Sequence, residues 1–414
     1  MAHLKPVRGT HDLLPEDMRQ HRAVIDMARK MVRLYGFEEI ATPIFEFTEV
    51  FQRTLGDTSD VVNKEMYSFE DRNGEFLTLR PENTAGVARC FISEGLAQKV
   101  PLKYFYAGPM FRRERPQKGR LRQFHQIGIE LLGITSPTAD VDVIAAGYRT
   151  LRSLGIIDKT VLELNSLGDA ESRNAYRDAL IDYFTPHKNS LSDHGRARLE
   201  RNPLRILDSK DEADRELAAE APVLSDYLSE ESQNFFRNVQ DGLMRIGIDF
   251  KINTRLVRGL DYYGQTTFEF VTDSLGAQGT VLAGGRYDGL IELMGGPPTP
   301  GVGWAAGVER LVMLIDKCME DYPVFAIIPM GQQAAERAHL LAEELREDGL
   351  VVDLAYAGNV SRRMKRANRV GASAALILGD EELARNVVQI RDMKTGNQSE
   401  TSLDAVIAGL TQFR

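Results

Sequence analysis

The chain has 414 residues, 43% of them hydrophobic, and its 51 Lys and Arg against 60 Asp and Glu leave a formal net charge of −9. That length exceeds what one hydrophobic core accommodates, so two or more domains are expected, and the negative balance disfavours non-specific nucleic-acid binding by the whole surface: a polyanion must be held by local basic clusters. Two cysteines, Cys90 and Cys318, with no paired Cys or Cys/His spacing, argue against a disulfide framework or structural zinc and for a reducing, cytoplasmic compartment.

Residues 1–30 mix charged and apolar side chains without the order of a secretion signal, and no apolar run is long enough to span a bilayer. Met18, Val24, Met27, Met31 and Leu34 recur at roughly helical spacing, which predicts a helix over Asp17 to Tyr35, stopped by Gly36. The β-branched and aromatic run 37–47 carries Pro43, which confines it to an edge or a strand start. Strands are predicted at 76–80, 102–111, 124–133 and 161–165, with helices at Asn83 to Glu94 and Asp140 to Leu154. Residues 171–247, rich in Arg, Asp, Glu and Ser with helical periodicity, read as a helical insertion. Strand character returns at 249–257, 266–272 and 280–285, followed by a helix from Trp304 through Met313. Strands joined by hairpins and long excursions favour an antiparallel or mixed sheet. After Asp321-Tyr322-Pro323, alternating strands and helices predict a small α/β domain over Val324 to Arg414 with a mostly parallel sheet.

The stretch FRRERPQKGRLR, 111–122, packs six basic side chains and one acid into twelve positions, with Pro116 and Gly119 suited to a hairpin loop. Arg112 follows YFYAGPMF, Arg258 sits in LVRGLDYYG, and Arg310 in GVGWAAGVERL. An arbitrary arginine is solvated or salt-bridged, but these three abut apolar sequence, where an unpaired charge is costly. Their planar donor forks fit phosphate or carboxylate. No GxxxxGK[ST] loop is present, and GVGWAAG is one residue too long for GxGxxG and has no clear strand before it; its small residues predict a helix approaching a sheet or ligand closely. HExxH and GxSxG are absent too. Carboxylates and hydroxyls accompany the arginines: Glu82 and Thr84 in TLRPENTAG, Gln126 and Glu130 on one face of FHQIGIE with Gly128 between them leaving room for a ligand, and Tyr262-Tyr263 after Arg258. A helix cap for Glu82, an edge position for Glu130 and core packing for the tyrosines are the plain alternatives.

RGTHDLLPED (8–17), TLRPENTAG, FRRERPQKGRLRQFHQIGIE, LVRGLDYY, AGGRYDGL and GVGWAAGVERL, in this order across nearly the whole chain, resemble the signatures of the class II aminoacyl-tRNA synthetases, and within them the histidyl-tRNA synthetases. The resemblance implies an α+β fold: an antiparallel six-stranded sheet with flanking helices, a helical insertion and a C-terminal α/β anticodon-binding domain. The expected division is a catalytic domain over 1–170 and 250–322, the insertion over 171–249 and the anticodon-binding domain over 324–414.

By motif position the resemblance implies that Arg112 holds the α-phosphate of ATP and Arg310 the γ-phosphate side, with Arg120 also at the nucleotide. Glu82, Asn83, Thr84 and Gln126 belong to the amino-acid site, Asn83 standing where many bacterial members carry glycine; Glu130, Tyr262 and Tyr263 address the imidazole of L-histidine. Arg258 falls between carboxylate and α-phosphate, which with Arg112 makes it a catalytic candidate. Gln117 and Arg120 fall at the acceptor end of tRNA(His), while Arg362, Arg363, Lys365 and Arg366, in SRRMKRANR, offer an RNA-facing helix whose ordinary reading is a solvated face. ATP enters with Mg²⁺ as substrate; no tightly bound cofactor and no protein metal site are expected. A homodimer is expected from the motif over Asp17 to Phe47. The competing reading is the histidine-sensing regulatory subunit of ATP phosphoribosyltransferase, a similar fold that can dispense with Arg112, Arg258, Arg310, Glu82 and the terminal domain, all present here.

Overall fold

A computed structural model describes residues 4–55, 65–117, 119–207, 209, 211–257, 262–316 and 323–413, and the chain divides into two compact units, Met1–Met319 and Glu320–Arg414. The first unit runs α1 (Pro15–Arg33), β1 (Glu38–Glu39), β2 (Phe45–Phe47), α2 (Thr48–Leu55), β3 (Tyr67–Glu70), β4 (Phe76–Leu79), α3 (Thr84–Ser93), β5 (Leu102–Phe111), β6 (Gln123–Leu132), α4 (Pro137–Ser153) and β7 (Val161–Ser166). Four helices follow, α5 (Ala170–Phe184), α6 (Asp193–Arg201), α7 (Glu212–Ala219) and α8 (Glu230–Arg245). The chain then re-enters the sheet through β8 (Lys251–Ile252), β9 (Gly264–Val271), β10 (Thr280–Arg286), α9 (Leu290–Leu293), β11 (Gly301–Gly307) and α10 (Val308–Val312).

α1 begins at Pro15, two residues before the expected start, because proline at the first turn forfeits only an N–H that has no intrahelical partner. Glu16 and Asp17 at its start and Lys30 and Arg33 at its end oppose the helix dipole, and Val24, Ala28 and Val32 form its buried stripe. The run 37–47 splits: Glu38–Glu39 joins the large sheet, and Phe45–Phe47, after Pro43, becomes an edge of a three-stranded sheet ordered β2-β4-β3.

The large sheet is ordered β1-β5-β6-β11-β10-β9-β7-β8. It therefore has eight strands where six were expected. The six central ones are mutually antiparallel, and the two-residue strands β1 and β8 close the edges in parallel pairing, short edges that leave little unpaired backbone. GVGWAAG departs from its expected helix: it is β11, between β6 and β10, and the helix starts only at Val308. Its glycines give the strand space on one face, which periodicity does not register.

One face of the sheet, carrying Phe105, Ile127, Ile129, Phe268, Phe270 and Trp304, packs with Val24 and Ala28 of α1, Ile144 of α4 and Leu243 of α8 into the main core. The residues between them point the other way. On β6, β10 and β11 that second face presents Gln126, Gly128, Glu130, Ala283, Gly285, Gly303, Ala305 and Gly307. The floor is mostly Gly and Ala, and it carries the candidate site.

The second unit comprises β12 (Val324–Met330), α11 (Gln332–Glu347), β13 (Val351–Leu354), α12 (Val360–Arg369), β14 (Ala372–Gly379), α13 (Asp380–Ala384), β15 (Val387–Asp392), β16 (Gln398–Ser402) and α14 (Val406–Leu410). Its sheet, ordered β13-β12-β14-β15-β16, has two parallel pairings followed by two antiparallel ones. It is mixed rather than mostly parallel, because the polar strand β16 forms a hairpin with β15. Its core (Phe325, Ile327, Leu341, Leu376, Val388 and their neighbours) is its own. No helix among the described residues is long and apolar enough to cross a membrane.

Candidate active site

Over the small-residue floor lies a cleft with about 1060 Å³ of atom-free space, its mouth and open solvent included, a concavity with convergent polar groups of the kind that holds small molecules. Its wall combines Arg112, Arg120 and Arg310 with Glu82, Thr84, Gln126, Tyr262 and Tyr263. Eight of the residues singled out from sequence thus meet in one cavity, although they span more than two hundred positions.

The arginine end is built by the β5–β6 hairpin and by α10. In the hairpin the Arg112 N–H donates to the Arg122 carbonyl at 2.9 Å, Gln117 and Arg120 exchange backbone bonds, and Gly119 takes a left-handed φ of 71° at the tip. Lys118 lies outside the described residues. Arg112 Nε donates to the Pro81 carbonyl at 2.9 Å, and its guanidinium lies 5.4 Å from the Phe124 ring centroid. Arg310 donates to the carbonyls of Gly119 at 3.1 Å and Thr280 at 2.7 Å. Arg120 Nε is 2.7 Å from Glu114, an acid in the wall to which sequence reasoning gave no role. Burial, and then the charges of Arg120 and Arg112, hold the Arg310 guanidinium below its ordinary value. Three guanidinium forks brought together in a sheltered wall, with Glu114 beside them, suit a polyphosphate.

The rest of the wall carries carboxyl, amide and phenol groups. Glu82 accepts the Thr84 and Ala85 N–H groups at 2.7 and 2.9 Å, so it caps α3 and faces the cleft at once. Burial raises its pKa. Gln126 Oε1 is buried in the wall with no hydrogen-bond partner among the described residues, an acceptor positioned for an ammonium or N–H donor. Glu130 lies just under the wall, 1% exposed. It accepts from Thr84 Oγ1 at 2.7 Å, from the Tyr287 hydroxyl, and weakly from Tyr106 at 3.4 Å. Desolvation pushes its pKa up to about 8 despite the hydrogen bonds of Tyr287 and Thr84.

Gly128 does not leave room for a ligand as expected: a Cβ there would meet the Tyr106 ring and hydroxyl at 2.4 Å, so the phenol fills the space. Likewise Gly303 makes room for the Glu130 carboxylate and Gly301 for Tyr287. Tyr106 and Tyr287 were not found as site residues. The signals were the pairing of Tyr106 with a glycine across the hairpin and the place of Tyr287 in AGGRYDGL. Next to Tyr287, the wholly buried Arg286 bonds Asp140 and, at 2.9 Å, the Ile134 carbonyl, which anchors that turn.

Asn83 is not in the wall. Its Oδ1 accepts from Thr42 Oγ1 at 2.6 Å and from Arg80 at 3.2 Å. Arg258 lies outside the described residues. Gln117 is exposed on the hairpin loop. In the second unit α12 exposes Arg362 and Lys365, whereas Arg366 makes a bidentate pair with Asp353 at 2.7 and 2.8 Å and Arg363 donates to the Pro329 carbonyl.

Residues 9–311 match the family model described as histidyl-tRNA synthetase, and residues 325–413 that of an anticodon-binding domain. A histidine–tRNA ligase of Rhodospirillum rubrum is 61% identical over 100% of both chains, and one of Gluconacetobacter diazotrophicus 57% identical over 99% of this chain and 100% of that one. Among solved structures, apo histidyl-tRNA synthetase of Staphylococcus aureus superposes with a TM-score of 0.84 at 34% identity, covering 98% of this chain and 99% of that one.

Proposed function

The chain belongs to the histidyl-tRNA synthetase family, and from that premise we propose how its residues carry the reaction. The protein is an ATP-dependent aminoacyl-tRNA ligase: a histidine carboxylate oxygen attacks the α-phosphorus of ATP and expels pyrophosphate, then a terminal ribose hydroxyl of tRNA(His) attacks the acyl carbon and AMP leaves. Arg112 neutralises the α-phosphate and Arg310 the γ-phosphate side, with Arg120 beside them and ATP entering as its Mg²⁺ complex. Arg258 is assigned by its motif to the space between carboxylate and α-phosphate, where charge builds in the transition state. Electrostatics and alignment then perform the chemistry without a covalent enzyme intermediate.

Glu82, Thr84 and Gln126 receive the α-ammonium. The capped Glu82 carboxylate and the unpartnered Gln126 oxygen support this, since both gain a donor when the ligand enters. Tyr263, Tyr262 and the underlying Glu130 read the imidazole, whose two nitrogens need one donor and one acceptor when neutral. Asn83 contributes through Arg80 and Thr42, shaping the loop that carries Glu82 and Thr84. Gln117 and Arg120 face the acceptor end, and α12, through Arg362, Arg363, Lys365 and Arg366, offers a second RNA surface. We place the reaction in the cytoplasm and assign a homodimer.

The observation that carries this reading is the convergence of three arginines with Glu82, Gln126 and two tyrosines in the wall of one cleft. The regulatory-subunit reading is the less supported, because a histidine sensor has no use for that arginine cluster. ATP–pyrophosphate exchange with each of the twenty amino acids tests it: exchange is expected with histidine alone, and its absence would return the chain to the sensor reading.

A further inference from the structure

At the part of the cleft wall that Glu309 lines, α1, β6 and α10 bring together His21, His125 and Glu309, which the reading above leaves without a role. His125 Nδ1 lies 3.0 Å from Glu309 Oε1, and the His125 backbone N–H donates to the two oxygens of the same carboxylate at 2.9 and 3.0 Å. The His21 ring stands edge-on to that of His125, with centroids 5.5 Å apart and planes at 87°. His21 is 4% exposed, and its Nδ1 is buried with no hydrogen-bond partner among the described residues. One ligand atom from each of the three side chains lies within 4.8 Å of the others.

A buried imidazole nitrogen without a partner forfeits a hydrogen bond it would make in water, so its retention calls for a donor or a Lewis acid. We propose that His21, His125 and Glu309 form a binding site for a transition-metal dication of the Zn²⁺ type, set between α1 and the wall of the nucleotide cleft. Two imidazole nitrogens and one carboxylate oxygen are the donors such ions prefer, whereas Mg²⁺ and Ca²⁺ favour all-oxygen sets. The cation takes the place of the proton shared between His125 Nδ1 and Glu309 Oε1, and that proton passes to His125 Nε2 or to water. Glu309 Oε2 keeps its bond from the His125 N–H, and this outer contact orients the ligating carboxylate. Ligand atoms around a tetrahedral Zn²⁺ stand roughly 3.3 Å apart, given bonds of about 2.0–2.2 Å, so rotation of the His21 side chain closes the remaining gap. Water completes the fourth position. Burial, foremost, keeps His21 below its ordinary pKa, with His125 and His11 acting in the same sense against Glu309 and Asp17. Positions 21, 125 and 309 are too far apart in sequence for any ligand spacing to register, which is why no metal set was expected.

The full chain, stripped with chelator, is titrated with Co²⁺ and then Zn²⁺. One equivalent of Co²⁺ giving a visible ligand-field band that Zn²⁺ removes is expected, with a rise in melting temperature that excess Mg²⁺ does not reproduce. His21→Phe should abolish the band and weaken Zn²⁺ binding more than about tenfold, the scale on which even an outer partner's loss registers. X-ray absorption on the Zn²⁺-loaded wild type, which needs no variant to fold, should count two imidazoles. The proposal is overturned if wild type shows neither band nor thermal shift, if His21→Phe binds the same equivalents with the same spectrum, or if the absorption data lack two imidazoles.

Discussion

Glu130 compresses the energetics of the site into one carboxyl. Buried beneath the cleft, it titrates near 8, while in an unfolded chain it would release its proton near 4.5. Between those values the folded protein binds more protons than the unfolded one, so stability falls as pH rises, by at most about 1.4 kcal/mol per pH unit. This contribution is complete below 4.5 and lost above about 8. Glu130→Gln, a neutral isostere, should flatten this slope: between pH 6 and 9 the melting temperature of wild type should decline relative to the variant. Parallel profiles would remove Glu130 from this role. Arg258 is known here only by its motif, and its expected effect is of another kind. Because the proposed contact strengthens as the phosphorus becomes pentavalent, Arg258→Ala should slow pyrophosphate exchange by about 10²-fold or more with a smaller change in the KM for histidine. A variant that loses only histidine affinity would move Arg258 out of the transition state.

β11 explains why a Gly- and Ala-rich strand sits at the centre of the sheet. A Cβ on Gly303 would stand 2.0 Å from Glu130 Oε2 and 2.3 Å from the Ile129 carbonyl, a backbone atom that cannot yield, whereas one on Gly307 meets nothing closer than 3.9 Å. Gly303→Ala should therefore cost about 1–3 kcal/mol or more, and Gly307→Ala, on the same strand and face, should unfold like wild type; equal denaturation midpoints for the two would undo this account. The same crowding decided what was legible beforehand. β5, β6, β9 and β10 carry aromatic, β-branched or other apolar runs and can be read from sequence. β11 offers only Val302 and Trp304 among Gly and Ala, β3 is only four residues long, and β16 is too polar to stand out. Arg112 and Arg310 were legible because each abuts apolar sequence, whereas Glu82 and Arg120 were placed by their motifs. Tyr106 and Tyr287 were not legible, since a core tyrosine resembles any other and their partner Glu130 is 24 and 157 positions away.

At the scale of the molecule, the three-stranded sheet has its polarity reversed. By register Phe45, Tyr67 and Leu79 share a face with Phe47, Phe69 and Leu77; Phe45, Phe47 and Phe69 are exposed on it, while the opposite face buries Glu46 against Arg89 and Thr78 against Ser68. An aromatic face left to water while the inner face is polar marks a contact surface, and it adjoins the motif from which a second copy is expected. Sedimentation should give a mass near twice 46.3 kDa, and Phe69→Glu should shift it towards the monomer; a wild-type monomer would refute the assignment. The last expectation concerns division of labour. Each unit has its own core, so removal of 324–414 should leave a folded protein with the whole cleft. Arg362 and Lys365 project from α12 while Arg366 is held by Asp353, and basic contacts of this kind contribute affinity that falls with salt. The truncated chain should therefore retain histidine-dependent pyrophosphate exchange while its kcat/KM for tRNA drops more than about tenfold, a loss above about 1.4 kcal/mol, and the salt dependence of charging becomes shallower. Equal losses in exchange and charging would mean that the second unit supports the cleft rather than the RNA.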